Sequence, residues 1–209
     1  MGDAAVSDEV SVLVDGAALD GPTLDRAAAW LAAMDADYYG LFDLPPTRVE
    51  TILAGCLRDP SSEFGTAAVL LHGGEAVGLL CAFPAGEMFG RRMQVLRGLL
   101  AAAPDPPAVR RRPRDFDGAG RWLPPEGFYL AKLFLAPALR GGGWADRLLG
   151  GFLEQARRLG RQPCLHVRRE NVVARSLYRR HGFEDAADPA ASSAAYVLMV
   201  AERGADGTA

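Results

Sequence analysis

The chain has few of the residues that mark a disulfide framework, a metal centre or a membrane segment. It contains three cysteines and three histidines among 209 residues. Cys56, Cys81 and Cys164 lie far apart in apolar runs, so we expect reduced thiols in a core. The histidines do not have the spacing of metal ligands, and no apolar run is long enough to cross a bilayer. We therefore expect no bound metal and no membrane partner.

The chain also lacks a strong charge of either sign and an export signal. Its net charge of -3 argues against general affinity for nucleic acid or anionic membranes. Residues 1–9 are acidic without an apolar core, and Val6 stands where a myristoylation motif needs Ser or Thr. The basic run 110–114 is short, is followed by acidic residues and lacks aromatic spacing. We expect a cytoplasmic protein without a nucleic-acid partner.

What is present is the composition of an ordinary globular protein, with 49% hydrophobic and 23% charged residues. The length suits a single domain over residues 1–209. The apolar patterns predict strands at 11–14, 67–72, 76–83, 128–135, 163–167 and 194–201, with a short extended piece from Phe183. They predict helices at 22–35, 46–57, 87–102, 142–159 and 172–181, and a loop at 38–46. Hairpins together with crossover helices predict an α/β fold (α+β mixed) with helices on both faces of a mixed sheet.

One long connection interrupts this pattern. Residues 87–125 are predicted to be an insertion between two sheet strands, formed by a helix and a flexible loop. Six of the 14 prolines lie between Pro104 and Pro125, which predicts loop or disorder after the helix. We expect the insertion to lie near a substrate site or a dimer contact, while an unimportant loop is the competing interpretation.

The most informative segment lies where a strand ends at Pro137 and glycines open an amphipathic helix. The first amides of a helix lack intrahelical partners and the dipole makes that end positive, which predicts a phosphate or pyrophosphate site. Trp144 and Asp146 stand where a P-loop needs Lys and where a dinucleotide fingerprint needs Gly or Ala. Both familiar nucleotide loops are therefore excluded. A merely flexible turn is the alternative, but three successive glycines are costly in that role.

Two motifs in order carry a family resemblance. The first, Arg140-x-x-Gly143-x-Ala145, resembles the Q/R-x-x-G-x-G/A signature of the GNAT superfamily of N-acetyltransferases. The second, with the expected strand and helices between, is Asn171-x-x-Ala174-x-x-Leu177-Tyr178-x-x-x-Gly182-Phe183. The resemblance is close over residues 128–183, and the earlier elements follow the family's order. It implies a GNAT-like, mostly antiparallel central sheet of six to seven strands.

The resemblance also implies a CoA thioester as acyl donor. The backbone of the glycine segment would hold the pyrophosphate. Strand 128–135 would pair with the pantetheine arm and splay from strand 163–167 to form the acyl slot. The implied cofactor-binding residues are Leu133, Phe134, Leu135, Arg140, Gly141, Gly142, Gly143, Trp144, Ala145, Asn171 and Tyr178.

Catalytic and acceptor residues follow from the same resemblance. Tyr178 would protonate the departing thiolate, and Glu126 stands where relatives sometimes carry an acidic base. Tyr38, Tyr39 and Phe42 lie where relatives shape the acceptor site. Each has a structural alternative, since the aromatic residues could be plain core. Asn171 could be only a helix N-cap.

The remaining cysteine and histidine side chains favour structural interpretations. Cys164 and His166 point the same way on one strand, but without a third orienting group a packed cysteine is favoured over a thiol nucleophile. The three histidines are interpreted as structural.

The predicted function is transfer of an acetyl group from acetyl-CoA to a primary amine by direct attack. The alternative is a non-catalytic module of the same fold that binds or senses acyl-CoA. A polyamine, an amino acid, an antibiotic, a peptide N-terminus and a protein lysine all stay open as acceptors. A homodimer through the last strands is also compatible with the sequence.

Overall fold

The computed structural model of the protein describes residues 12–111, 122–187, 192–193 and 195–203. Its strands are β1 (Val12–Asp15), β2 (Ala67–His72), β3 (Glu75–Pro84), β4 (Gly127–Leu135), β5 (Gln162–Arg168), β6 (Phe183–Asp185) and β7 (Tyr196–Ala201). Its α-helices are α1 (Gly21–Met34), α2 (Ala36–Gly40), α3 (Pro46–Arg58), α4 (Met88–Ala102), α5 (Pro106–Arg111), α6 (Trp144–Arg158) and α7 (Val172–Arg180). None of the helices in this described part of the chain is long and apolar enough to span a bilayer.

The strands form one seven-stranded sheet in the order β1-β2-β3-β4-β5-β7-β6. Only β4 and β5 run parallel among the described pairs. The crossover that parallel neighbours require is supplied by α6. The predicted mixed, mostly antiparallel sheet is confirmed. Strands β2 and β3 form a hairpin around Gly73 and Gly74, and both glycines have the positive φ that such a turn needs (59° and 79°).

Local sequence explains where the helices begin. Asp20 accepts a hydrogen bond from the Thr23 amide at 2.9 Å, and Pro22 occupies the first turn of α1. At α7 the Asn171 side chain accepts from the Ala174 amide at 3.1 Å. Both helices therefore start at side-chain caps that the sequence displays.

The sheet separates two hydrophobic clusters. One cluster packs α1, α3 and α4 against one face, with Leu31, Leu53 and Leu79 fully buried. The other packs α6 and α7 against the opposite face, around Leu149 and Phe152. We call these the α1 face and the α6 face of the sheet.

Two stretches predicted to be loops contain helix. Residues 36–40 form α2, because Tyr39 is buried at 4% exposure and its amide donates to the carbonyl of Asp35. The second is α5, where the Asp105 side chain caps the Ala108 amide at 3.0 Å and Val109 is buried. Asp followed by proline is a helix-start signal as well as a turn signal, so the proline content was misleading there. The rest of the predicted loop, residues 112–121, lies outside the described residues.

Candidate active site

The parallel strands β4 and β5 separate from each other in the middle of the sheet. They pair from Gly127 with Gln162 as far as Leu130 with Leu165, and both strands continue beyond that point without pairing to each other. Both lie wholly within the described residues. The separation leaves one edge of β4 open to the interior, as predicted for the acyl slot.

A β-bulge adjusts β4 at this opening. Cys81 on β3 pairs with Lys132 and the next residue, Ala82, pairs with Leu130, so Ala131 is the extra residue. The side chains of Tyr129 and Lys132 therefore both point to the α1 face although they are three positions apart. The bulge thus brings two polar side chains of β4 to the same side of the opening.

A cavity of about 230 Å³ lies where the strands part. It has walls from both faces of the sheet. From the α6 side it is lined by Leu130, Leu133, Val167, Asn171, Ala174 and Tyr178. From the α1 side its polar lining residues are Asp35, Tyr38, Tyr39, Glu63, Arg92, Tyr129, Lys132, His166, Arg168 and Tyr196. Groups from two separate layers can therefore reach one ligand through the opening.

The glycine segment lies at the start of α6. Gly141 and Gly143 have φ values of 83° and 76°, which disfavour any residue with a side chain. Gly143 is the N-cap residue of α6, and no side chain caps that end. A Cβ placed on either glycine would meet nothing within 4 Å, so the space before these amides is open. This geometry fits the diphosphate of a CoA molecule.

A polar contact joins the start of α6 to the end of α7. Asp146 in the first turn of α6 accepts a hydrogen bond from His181 Nε2 at 2.8 Å and one from Arg180 at 3.3 Å. The hydrogen bond from His181, followed by that from Arg180, lowers the pKa of Asp146. A carboxylate near a positive helix end is favourable by itself, and the two cationic or polar partners balance its charge beside the proposed anion site.

Asn171 and Tyr178 line the same cavity, seven residues apart on α7. Tyr178 is 9% exposed and its ring lies 5.8 Å from that of Phe183. Burial raises the pKa of Tyr178 to about 12. The phenol therefore keeps its proton at neutral pH, which is the state that a proton donor needs.

The α1 side of the cavity contains a buried ion pair between Lys132 and Asp35. Lys132 is the only lysine in the sequence. Burial alone would raise the pKa of Asp35, but the ammonium of Lys132 outweighs it and holds that pKa below its usual value. Burial would also lower the pKa of Lys132, yet the nearby Asp35 and Glu63 raise it. Both groups are therefore charged at neutral pH.

A second ion pair lies beside the first. Arg92 on α4 contacts Glu63 through two nitrogen–oxygen distances of 3.4 Å. The Glu63 side chain is 6% exposed. Val95, one helical turn after Arg92, also lines the cavity. The helix of segment 87–125 therefore forms part of the cavity wall.

The remaining polar wall is formed by β5 and β7. His166 Nδ1 lies 3.4 Å from the Tyr129 hydroxyl. Arg168 lies over the Tyr196 ring at 5.5 Å and 3.7 Å from the exposed carboxylate of Glu170. This part of the cavity combines an imidazole, a guanidinium and two phenols.

Of the five residues predicted for catalysis and acceptor binding, three line the cavity, including Tyr178, and two do not. Tyr38 and Tyr39 line the cavity, whereas Phe42 is completely buried in the core, 5.5 Å from the Tyr38 ring. Glu126 precedes the paired end of β4, is exposed and does not line the cavity; its carbonyl accepts from the Gln162 amide. The geometry gives Glu126 no part in the cavity.

The residues predicted to bind the cofactor lie in different places, some at the cavity and some away from it. Leu133 lines the cavity. Phe134 stacks on Trp30 at 4.7 Å on the α1 face, and Leu135 is buried on the α6 face. Arg140 is exposed and its Nε lies 3.4 Å from the Leu135 carbonyl, while Trp144 packs under the Arg147 guanidinium at 4.8 Å.

Sequence reasoning missed several cavity residues, namely Asp35, Glu63, Arg92, Lys132, His166 and Arg168. Their partners are distant in sequence: Asp35 and Lys132 are 97 residues apart. One signal was available, because a single lysine inside an apolar strand is unusual. For His166, the shared strand face with Cys164 was noticed but interpreted as structural.

Comparison with known proteins agrees with this architecture. The sequence matches the acetyltransferase (GNAT) family over residues 28–183. No curated protein matches the chain at a significant level. A crystal structure of an acetyltransferase is similar, with a TM-score of 0.68 and 20% identity, covering 92% of this chain and 99% of that one.

Two other solved structures are similar at lower identity. An N-acetyltransferase from Staphylococcus aureus Mu50 has a TM-score of 0.56 and 16% identity, covering 84% of this chain and 96% of that one. The PaiA N-acetyltransferase from Thermoplasma acidophilum, solved in complex with coenzyme A, has a TM-score of 0.51 and 12% identity, covering 92% and 99%. At such identities these structures support the fold alone. The family match covers most of the chain, and this protein therefore belongs to the GNAT acetyltransferase family.

Proposed function

We propose that the protein transfers an acetyl group from acetyl-CoA to a primary amine by direct attack. The observation that carries this proposal is the cavity at the opening between β4 and β5, which is lined by Tyr178 from one face and by a polar wall from the other. A donor entering from the α6 side and an acceptor entering from the α1 side would meet there.

The acyl donor is proposed to bind along the start of α6 and the open edge of β4. The uncapped amides at Gly143 and the following residues fit a diphosphate. The free edge of β4 beyond Leu130 offers backbone groups to an extended amide chain such as pantetheine. Acetyl-CoA supplies an activated acyl group when bound. The proposed backbone contacts would hold it in place, and Asn171 would face the pantetheine arm.

Tyr178 is proposed as the proton donor to the leaving sulfur. It lies on the α6 side of the opening, where a thiol arriving from the start of α6 would lie. Its burial keeps the phenol protonated at neutral pH. The backbone amides at the strand opening are proposed to stabilise negative charge on the acyl oxygen.

The acceptor is proposed to be a primary amine that enters from the α1 side. Tyr38, Tyr39 and the α4 residue Arg92 line that entrance. We propose accordingly that residues 1–209 form a single domain, in which the insertion 87–125 contributes to acceptor binding. Its helix already contacts the cavity through Arg92 and Val95.

The alternative function is a non-catalytic module that binds acyl-CoA. Glu126, which had been the candidate base, lies away from the cavity, and this favours the alternative. Release of free thiol that depends on an added amine would exclude it.

The first experiment is calorimetric titration of the protein with acetyl-CoA, with Gly143→Glu as the test variant. The substitution puts a carboxylate and a side chain into the proposed anion site, at a φ that L residues disfavour. We expect the affinity to fall about 100-fold or more, since charge repulsion replaces charge-assisted hydrogen bonds.

Gly151→Ala is the matched control. Gly151 lies in the middle of α6, and a Cβ there meets nothing within 4 Å. The control should bind acetyl-CoA like the wild type and gain about 0.5–1 kcal/mol of stability. Equal affinity in all three proteins would place the donor elsewhere, and no binding by the wild type would end the proposal.

A further inference from the structure

The cavity contains more ionisable groups than a proton donor at sulfur explains. An amine that attacks a thioester must also lose a proton, so the acceptor side needs a group that can accept it. The charged and titratable groups that share the cavity are Asp35, Tyr38 and Tyr39 from α1 and α2, Glu63, Arg92 from α4, Tyr129 and Lys132 from β4, His166 and Arg168 from β5, Tyr178 from α7 and Tyr196 from β7. The contacts of each group indicate whether it can accept the proton.

Each of the two carboxylates already has a cationic partner. Asp35 is in an ion pair with Lys132, and that cation makes protonation of the carboxylate harder. Glu63 lies against the Arg92 guanidinium at 3.4 Å and is the counter-ion of that group. Both carboxylates therefore serve as counter-ions in the structure, and neither is assigned as the base.

The phenols are protonated and therefore act as acids. Burial raises the pKa of Tyr39 and of Tyr129 well above the usual range. Burial likewise raises the pKa of Tyr196. Lys132, Arg92 and Arg168 have no lone pair to offer while they are charged. Among the cavity's side chains this leaves the imidazole.

His166 is placed where an acceptor proton would have to go. It follows Leu165, the last residue of β5 that pairs with β4, so it stands at the opening itself. It pairs with Leu198 on β7, and its side chain points to the α1 face, away from Tyr178. Its Nδ1 faces the Tyr129 hydroxyl at 3.4 Å, and the ring is half-buried. Imidazole ordinarily changes charge between pH 5 and 8, which suits a base at neutral pH.

We propose that His166 is the general base of the reaction, accepting the amine proton at Nε2, and that Tyr129 positions its ring by accepting a hydrogen bond from Nδ1–H. This inference rests on the proposed acetyl transfer. As the amine nitrogen bonds to the acetyl carbon, His166 Nε2 takes the proton that the nitrogen loses. As the carbon–sulfur bond breaks, Tyr178 Oη gives a proton to the sulfur. The imidazolium then releases its proton to water and the phenolate regains one, leaving an amide and free thiol.

The decisive variant is His166→Asn, which keeps a polar atom near the Nδ1 position but cannot take up a proton at neutral pH. Cys164→Ser is the matched control, since it lies two residues away on the same face of β5 and is not in the cavity lining. Both are compared with the wild type by acetyl-CoA calorimetry, by thermal melting and by thiol release between pH 5 and 9. The acceptors are spermidine, L-lysine and a tetrapeptide with a free N-terminus.

We expect the His166→Asn variant to bind acetyl-CoA within about twofold of the wild type and to lose about 100-fold or more in kcat with the best of these amines. The fall of kcat/KM on the acidic side should disappear, and added imidazole should restore part of the rate. In a proton NMR titration, the imidazole signal of His166 should shift with pH in the wild type and should be missing from the spectrum of the variant. The Cys164→Ser variant should keep the wild-type rate and pH profile.

Three results would overturn the assignment, and they are distinguishable. If the His166→Asn variant keeps its kcat within about fivefold and retains the acidic limb, His166 is not the base while acetyl transfer stands. If the wild type releases no thiol with any of these amines, the proposed transfer to them fails and the base assignment fails with it. A loss of both melting temperature and acetyl-CoA affinity would instead show a structural role.

Discussion

The two sides of the cavity are built by different means. On the α6 side, backbone amides and left-handed glycines form the proposed donor site, and the motif residues lie within a few positions of one another. On the α1 side, side chains from separate elements form two ion pairs. Asp35 and Lys132 are 97 residues apart in sequence, and Glu63 and Arg92 are 29 residues apart. A site made of backbone is encoded locally, whereas a site made of side-chain pairs depends on the whole fold.

The difference has a physical reason. The donor carries the same phosphate groups and amide chain in every enzyme that uses it, and backbone groups suffice for both. Acceptors differ in charge and shape, so the opposite wall has to be specified by side chains. Substitutions on each side should therefore affect different measurements.

The largest effect on stability should come from breaking the Lys132–Asp35 pair. In the Lys132→Met variant, Asp35 is left charged with 21% of its side chain exposed. We expect a loss of about 3–5 kcal/mol in the free energy of unfolding, measured by urea denaturation at pH 7. The double variant Lys132→Met with Asp35→Asn should recover part of this loss. Acetyl-CoA affinity should change little in the double variant, and a large change there would contradict the separation of the two sides.

The same pair predicts a pH dependence with a definite sign. The folded pKa of Asp35 is lowered, so its contribution is present above its unfolded pKa of about 4 and is lost as the pH falls further. The folded pKa of Lys132 is raised, so its contribution is lost only as the pH rises through that value. The stability difference between the wild type and the double variant should therefore be greatest between about pH 4 and pH 10.

The next largest effect is expected for Tyr178→Phe, which should change the catalytic rate and not the stability. The ring keeps its packing against Phe183 while the proton donor is lost. We expect kcat to fall about 100-fold, with acetyl-CoA affinity within about threefold of the wild type. Steady-state thiol release and calorimetry measure the two quantities. An unchanged kcat would mean that the thiolate takes its proton from elsewhere.

The smallest effect concerns Asn171, which both caps α7 and lines the cavity. Asn171→Ala should lower the free energy of unfolding by about 1 kcal/mol, because the Ala174 amide loses its partner. Asn171→Ser should restore most of that stability, since serine also caps. If it restores acetyl-CoA affinity as well, Asn171 acts only as a cap; a persistent affinity loss would show a contact with the donor.

The sequence predicted the fold well because the elements carry local signals. Periodic apolar residues, the cap at Asn171 and the hairpin glycines are readable without the structure, and all lie as expected. The helices α2 and α5 were missed because tertiary burial of Tyr39 and Val109 decides them. The residues proposed to bind the donor follow from two motifs, but the charged wall proposed for the acceptor carries no local pattern. Glu126 was chosen for its position before a strand, which does not reveal which end of that strand faces the cavity.

The extra residue at Ala131 has a consequence for how β4 can change over evolution. The alternation of side chains between the two faces of a strand has a phase, and the bulge shifts that phase by one residue at the opening. Deleting Ala131 would restore regular alternation and leave Lys132 on the α1 face, whereas regular pairing of the full-length strand without the bulge would turn Lys132 toward the α6 face and take the counter-ion from Asp35. At this point of β4, the pairing register thus constrains the lysine as strongly as its identity does.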